Sequence, residues 1–219
     1  MVTGMHRDRS KKLKNMAETN PNSRLEAFCD GVFAIALTLL IIDIKIPATA
    51  EITNTADFWL ALKHIVPSVS AFVLSFVIIL ISWVNHHAAF KLANRSSPSF
   101  IYANGLLLIT VVFLPFPTSL MGEYILTDHA APAVILYNSV LALQAVGWIL
   151  MGSTALKNHL YKSEKAAVTT RENTRYAYFA CILYSLLAIA ACWFPLAIAI
   201  ATTLTWIFWL ILGIKIKHE

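Results

Sequence analysis

The sequence predicts an all-α integral membrane protein with six transmembrane helices. Of its 219 residues, 58% are hydrophobic and only 13% are charged, whereas soluble domains carry roughly 45–50% apolar and about 25% charged residues. The apolar residues fall in long runs separated by short polar links, and about 20 such residues cross a bilayer as a helix. We therefore expect residues 24–214 to form one six-helix membrane domain, between a basic tail at 1–23 and a short end at 215–219.

The first predicted span, residues 24–47, reads RLEAFCDGVFAIALTLLIIDIKIP. Ser23 and Glu26 form a capping-box pattern, in which two side chains satisfy free amides at a helix start. The residue before a proline is disfavoured in helical geometry, so we expect the helix to end at the final proline of this segment. Asp30 and Asp43 bracket an uncharged run, and a carboxylate costs ~2.5–3.5 kcal/mol at the middle of a bilayer. This helix is therefore expected to turn one face to protein or water.

The later spans are bounded by proline and by charge. Ser97 followed by Pro98 predicts a capped helix start, and Pro115 with Pro117 predicts a kink or an early stop. A basic connector at 157–175 precedes an uncharged stretch that is long enough for two spans. The five later spans are predicted at 58–84, 100–120, 132–156 and twice within 176–214, where the chain turns at Trp193, Phe194 and Pro195.

The basic residues predict the orientation. With the N-terminus in the cytoplasm, 15 of the 17 lysines and arginines fall on the inner side, and only Lys45 and Lys63 face out. Because cytoplasmic loops are enriched in lysine and arginine, both termini are predicted to be cytoplasmic. This distribution explains the net charge of +5 without a nucleic-acid partner.

The sequence carries no pattern that indicates an enzyme or a cofactor. It contains no Walker loop, no HExxH motif and no serine–histidine–acid set at a recognisable spacing. Its cysteines have no metal-ligand spacing and lie in apolar surroundings, so we expect them to be small buried hydrophobes. They are Cys29, Cys181 and Cys192.

One face of the first helix is a stripe of bulky aliphatic residues. At ~100° per residue, Gly31, Thr38, Leu39, Ile42 and Ile46 fall within about 60° of Ile35. Such a stripe either packs against a neighbouring helix or lines a pore, and the pattern alone leaves both interpretations open. Thr38 contributes the single hydroxyl on this stripe.

A second set of polar residues is predicted to form a structural clamp. Asp30 lies ~140° from Ile35 on the same wheel, so we expect it to point into the helix bundle. Trp83, Asn85 and His86 end the second span and Asn104 begins the third, at a depth where they could satisfy a buried carboxylate. The alternative is a substrate or proton site of a secondary transporter, formed by Asp30, His86 and Asn104.

Two motifs resemble those of the transmembrane protein 175 family, the endosomal and lysosomal potassium channels of animals and their single-repeat bacterial relatives. The family usually has serine where this chain has Cys29, and a thiol is the weaker hydrogen-bond partner. The motifs are Arg24-x-x-x-Phe28-x-Asp30 followed by Gly31-Val32-Phe33-Ala34-Ile35-Ala36 and Thr38-Leu39-Leu40, and Trp83-x-x-His86-His87.

The resemblance implies a potassium-permeable channel in which the first helices of four identical chains surround a pore. It implies a constriction at Ile35, with Leu39 and Ile42 behind it, and Thr38 as the candidate polar ion contact. It implies K⁺ as the permeant ion, with other copies of the chain and membrane lipid as partners. The protein would lie in the cell membrane, which would be the inner membrane of a bacterium. No TVGYG sequence occurs, so selectivity is not expected to arise from a carbonyl filter.

The outer end of the first helix carries a charged pair. Asp43 and Lys45 lie ~80° to either side of the stripe. In a ring of first helices these flanks would face adjacent subunits, so we expect a contact between Asp43 and Lys45 at the outer mouth.

A structural membrane protein that conducts nothing remains a third alternative, beside the channel and the transporter.

Overall fold

The computed structural model describes residues 21–49 and 52–215, and these form an all-helical bundle. Most of the predicted basic tail, residues 1–20, and the end of the chain, residues 216–219, lie outside the described residues. The described helices are α1 (Ser23–Leu39), a 3-10 helix (Leu40–Asp43), α2 (Thr55–His64), α3 (Val66–Leu92), α4 (Pro98–Phe113), α5 (Pro115–Tyr124), α6 (Ala130–Lys157), α7 (Glu164–Ala190) and α8 (Pro195–Lys215).

Four helical stretches in the described part of the chain are long and apolar enough to cross a membrane. Helix α8 adds a shorter apolar stretch, Pro195–Ile211. The chain is thus an all-α integral membrane protein, whereas the exact number of six spans stays a prediction. The four stretches are Ser23–Ile42, Thr55–Leu92, Pro98–Tyr124 and Ala130–Lys157.

Several predicted boundaries are confirmed, and each depends on a local signal. The Ser97 side chain accepts a hydrogen bond from the Phe100 amide at 3.3 Å, with proline at the start of α4. The third apolar stretch breaks at Leu114, immediately before Pro115. Helix α7 ends at Ala190 and α8 begins at Pro195, which is the predicted turn.

The first helix departs from prediction at both ends. The Glu26 amide donates to the Asn22 carbonyl at 2.8 Å, so the helix is capped at Asn22 and Ser23 lies inside it. The capping-box prediction is therefore wrong. Helical geometry ends at Asp43, and Ile44 is extended, because the chain tightens into a 3-10 turn closed by the Ile44 amide on the Ile41 carbonyl.

Two helices reach further into the predicted cytoplasmic links than expected. Helix α3 continues to Leu92, and α7 already begins at Glu164, so much of the basic connector is helical. The loops that follow α3 and α6 are joined by backbone bonds, from Asn94 N to Leu160 O at 2.7 Å and from Lys162 N to Leu92 O at 2.9 Å. These bonds tie together the ends of α3 and α6 on the predicted inner side.

The core lies between α1, α3, α4 and α6 and is extended by residues of α7 and α8. Leu107 of α4 is fully buried. Gly147 of α6 permits a close approach to it, since a Cβ atom at Gly147 would lie 2.9 Å from the Leu107 Cα. This packing fixes α4 and its Asn104 side chain relative to the rest of the bundle.

Candidate pore face and polar cluster

Helix α1 has one buried face and a broad exposed one. Its buried face consists of Cys29, Phe33 and Ala36 and continues to Leu40 in the following 3-10 turn, each 2% exposed or less. These positions recur at intervals of three and four residues, which places them on one side of a helix. The flanks of this face are partly buried and most other positions of α1 are exposed within the subunit, so any further burial there requires lipid or another copy of the chain.

The predicted stripe lies on the open side. Ile35 is 59% exposed, Leu39 40% and Ile42 70%, and Gly31 and Thr38 are exposed beside them. Residues three apart eclipse each other in a 3-10 helix, so the turn that follows α1 keeps Ile42 above Leu39. The stripe is thus not packed against another helix of its own subunit. This excludes packing within the single chain and leaves contact with a pore, lipid or another subunit.

The Thr38 hydroxyl is bonded to the backbone of its own helix, one turn earlier. It donates a hydrogen bond to the Ile35 carbonyl at 2.9 Å. A hydroxyl has one hydrogen and two acceptor lone pairs, so this bond occupies the hydrogen and leaves the oxygen able to accept. An exposed oxygen of this kind can contact a cation.

A buried chain of polar groups links three helices. His86 Nε2 lies 2.7 Å from Asn104 Oδ1, and Asn104 Nδ2 donates to Cys29 Sγ at 3.1 Å. Because the amide oxygen only accepts, His86 carries its hydrogen on Nε2 in this arrangement. The imidazole is enclosed by the rings of Phe33 and Phe90, at centroid distances of 5.2 and 4.6 Å. These hydrogen bonds join α1, α3 and α4.

Asp30 belongs to a separate, exposed group. Trp83 Nε1 donates to Asp30 Oδ1 at 2.8 Å, and the Trp83 ring stacks on His87 with centroids 6.2 Å apart. The expected contact with Trp83 is present, but the Asp30 side chain is exposed in the subunit rather than buried in the bundle, so the prediction of its burial is wrong. Cys29, one residue earlier, takes the interior position, and the next residue of a helix lies ~100° around the axis.

Three further members of the predicted cluster lie apart from both groups. Arg24 and Phe28 are exposed and fall within ~20° of Ile35 on the wheel, so they extend the stripe towards the start of α1. Asn85 lines a cavity between α3, α6 and α7. The structure therefore divides the predicted cluster into a buried hydrogen-bonded set, an outer group of three residues and three outlying residues.

The outer-mouth pair is changed by the early end of the helix. Lys45 is exposed and lies beyond the last helical residue, Asp43. The helical wheel therefore does not give the direction of the Lys45 side chain. A contact between Asp43 and Lys45 of adjacent subunits stays a prediction.

Sequence reasoning did not find a second buried polar group. Ser75 Oγ lies 2.7 Å from Thr118 Oγ1 and 3.2 Å from the Tyr137 hydroxyl, which joins α3, α5 and α6. The available signal was the presence of isolated hydroxyl residues within apolar helices, where buried polar groups need partners. The described residues contain no group of three or more His, Cys, Asp or Glu side chains that could hold a metal ion.

Comparisons with known proteins agree with this architecture. The chain is 44% identical over 129 residues to a protein of Chamaesiphon minutus named a potassium channel, and 42% identical over 137 residues to one of Streptomyces collinus with the same name. These matches cover 59% and 60% of this chain, and 63% and 65% of the two relatives, which is less than two thirds of their length.

A solved structure matches more of the chain. The crystal structure of a lysosomal potassium-selective channel TMEM175 homolog from Chamaesiphon minutus is 32% identical, with a TM-score of 0.76. The match covers 88% of this chain and 97% of that one. The sequence model of the family described as endosomal/lysosomal potassium channel TMEM175 matches residues 24–115, which include α1 and the polar cluster. The chain belongs to the TMEM175 family.

Proposed function

We propose that this chain is one subunit of a potassium-permeable cation channel, in which four copies surround a pore lined by α1. The single observation that carries the proposal is the exposed stripe of α1, opposite a face that is fully buried in the subunit. The potassium-channel names of the relatives agree with it. Four copies are the assembly that the resemblance implied.

The exposed side of α1 suits a pore better than lipid. It carries the Thr38 hydroxyl, and the Asp30 carboxylate, ~140° around the helix from Ile35, is exposed as well. A carboxylate facing hydrocarbon costs ~2.5–3.5 kcal/mol at mid-bilayer, and a contact with other subunits or with water removes that cost. Only 22% of the most apolar part of Ser23–Ile42 is buried, the same share as in Thr55–Leu92 and less than the 50% of Ala130–Lys157, so the first helix has a surface open to lipid or to another copy of the chain.

The gate of this channel would be apolar. Rings of Ile35, Leu39 and Ile42 from four copies cannot replace the hydration shell of a cation, and a narrow ring of this kind dewets and blocks ions. Conduction then requires the first helices to separate or rotate. Thr38, whose oxygen is free to accept, would supply the polar contact beside this constriction.

The transporter alternative receives little support from the geometry. Its three candidate residues do not form one site, because His86 and Asn104 bond to each other in the interior while Asp30 bonds to Trp83 on the outside. A scaffold protein would conduct nothing. Flux measurements separate the three functions. A channel gives steady single-channel current, a transporter gives coupled and saturating flux, and a scaffold gives no flux.

The test compares two isoleucines of matched exposure. Ile35 is 59% exposed and Ile41 is 54% exposed, but Ile41 lies off the stripe. The purified protein is measured in planar bilayers under gradients of potassium, sodium and chloride. Ile35→Ala is expected to raise the basal current and bring sodium permeability closer to that of potassium, whereas Ile41→Ala leaves both near the unmodified protein. Indistinguishable currents and reversal potentials in the two variants would contradict the gate.

A further inference from the structure

A cavity of about 180 Å³ lies between helices α3, α6, α7 and the end of α8. No residue of α1 lines it, so it is distinct from the candidate pore face. An apolar cavity of ~150 Å³ in another protein holds a benzene molecule, so this one is large enough for a small organic ligand. Its position near the ends of α3 and α6 puts it on the predicted cytoplasmic side.

The wall of the cavity is apolar and uncharged. Aromatic and aliphatic side chains form most of it, among them Phe100, Trp148 and Met151. No lysine, arginine, histidine, aspartate or glutamate is among the described residues that line it. A charged head group would lose its hydration there without gaining an opposite charge. The wall therefore selects against carboxylates, phosphates and ammonium groups.

Two amide side chains on different walls are available to a ligand. Asn85 on α3 and Asn173 on α7 line the cavity and, within the described residues, make no hydrogen bond to protein. Two other polar pairs of the wall are already bonded within the protein: Gln144 Nε2 donates to Ser82 Oγ at 2.9 Å, and Trp209 Nε1 donates to the Tyr184 hydroxyl at 3.0 Å.

We propose that this cavity binds a small neutral amphiphile, with a hydroxyl or carbonyl head at Asn85 and Asn173 and an apolar body against Trp148 and Met151. An amide side chain offers both a donor and an acceptor, so it can bond either kind of head. Ligand sites of this type combine a mostly apolar wall with a few placed polar groups. The proposal concerns binding alone and does not depend on conduction.

The test is photolabelling of the full-length protein in lipid nanodiscs with a diazirine derivative of 1-octanol, followed by peptide mass spectrometry. Adducts are expected on residues of the cavity wall, such as Met151. Excess 1-octanol should suppress them, while octane, which has no head group, and octanoate, which is charged at neutral pH, should compete poorly.

The amides are tested by near-isosteric substitutions. Asn85→Leu and Asn173→Leu should each weaken competition by 1-octanol about two- to tenfold, the effect of one hydrogen bond. Asn94→Leu makes the same change at an exposed loop position outside the cavity and should leave competition unchanged. The proposal is overturned if adducts avoid the cavity wall, if octane or octanoate competes as well as 1-octanol, or if both cavity variants behave like Asn94→Leu.

Discussion

Placing a methyl group at Gly147 should separate two helices of the core. The new Cβ atom would lie 2.9 Å from the Leu107 Cα and 3.1 Å from its Cβ, whereas ordinary contacts begin at 3.4 Å. The Leu107 atoms belong to the backbone and the base of the side chain, so rotation cannot relieve the clash. Helix α4 must therefore move by about half an ångström away from α6.

Gly105 supplies a matched control on the same helix as Leu107. A Cβ atom added there meets nothing within 4 Å in the subunit, so Gly105→Ala should gain the ~0.8–1.0 kcal/mol by which alanine exceeds glycine in a helix. Gly147→Ala gains the same amount but loses ~1–3 kcal/mol to overpacking. The two variants should thus differ by ~1–3 kcal/mol in unfolding free energy.

The assay is thermal unfolding of both purified variants in the same detergent. For a chain of this size, 1 kcal/mol corresponds to ~2–4 °C in melting temperature. Gly147→Ala should therefore melt at least ~2 °C below Gly105→Ala. If Gly147→Ala melts at the same temperature or higher, the close approach of α4 and α6 does not limit the packing of the core.

Three further outcomes are expected. Cys29→Ala should cost ~1–3 kcal/mol of unfolding free energy because it leaves a buried amide without an acceptor, whereas Cys29→Ser should stay within ~1 kcal/mol of the unmodified protein; equal melting temperatures would refute this. Trp83→Phe and Asp30→Asn should alter assembly on size-exclusion chromatography to similar extents and leave the potassium–sodium reversal potential unchanged; a selectivity loss in Asp30→Asn alone would make that carboxylate a pore ligand. Cys192 is exposed rather than buried as the sequence analysis expected, so it should react with a membrane-impermeant maleimide from outside intact cells. Lys162→Cys in a Cys192→Ser background should react only after permeabilisation; its reaction in intact cells would reverse the predicted orientation.

Helix boundaries that depend on interactions between nearby residues could be predicted from the sequence. Ser97 with its proline, the break at Leu114 and the turn before Pro195 all appear where expected, since each depends on a cap or on a ring that cannot continue a helix. The membrane class followed from composition, because a bilayer demands long apolar runs. The face of α1 that carries Ile35 also followed, from helical periodicity alone.

Only the tertiary structure decided what each polar side chain contacts. Asp30 and Cys29 are adjacent in the chain, yet one lies exposed beside Trp83 and the other lies buried against Asn104. The helical wheel gives the angle of each side chain around α1 but not the side on which the neighbouring helices pack. That side is set by contacts with residues more than fifty positions away in the sequence. The cavity beside Asn85 is decided in the same way, because an empty volume exists only where separate helices fail to meet, and no local pattern encodes it.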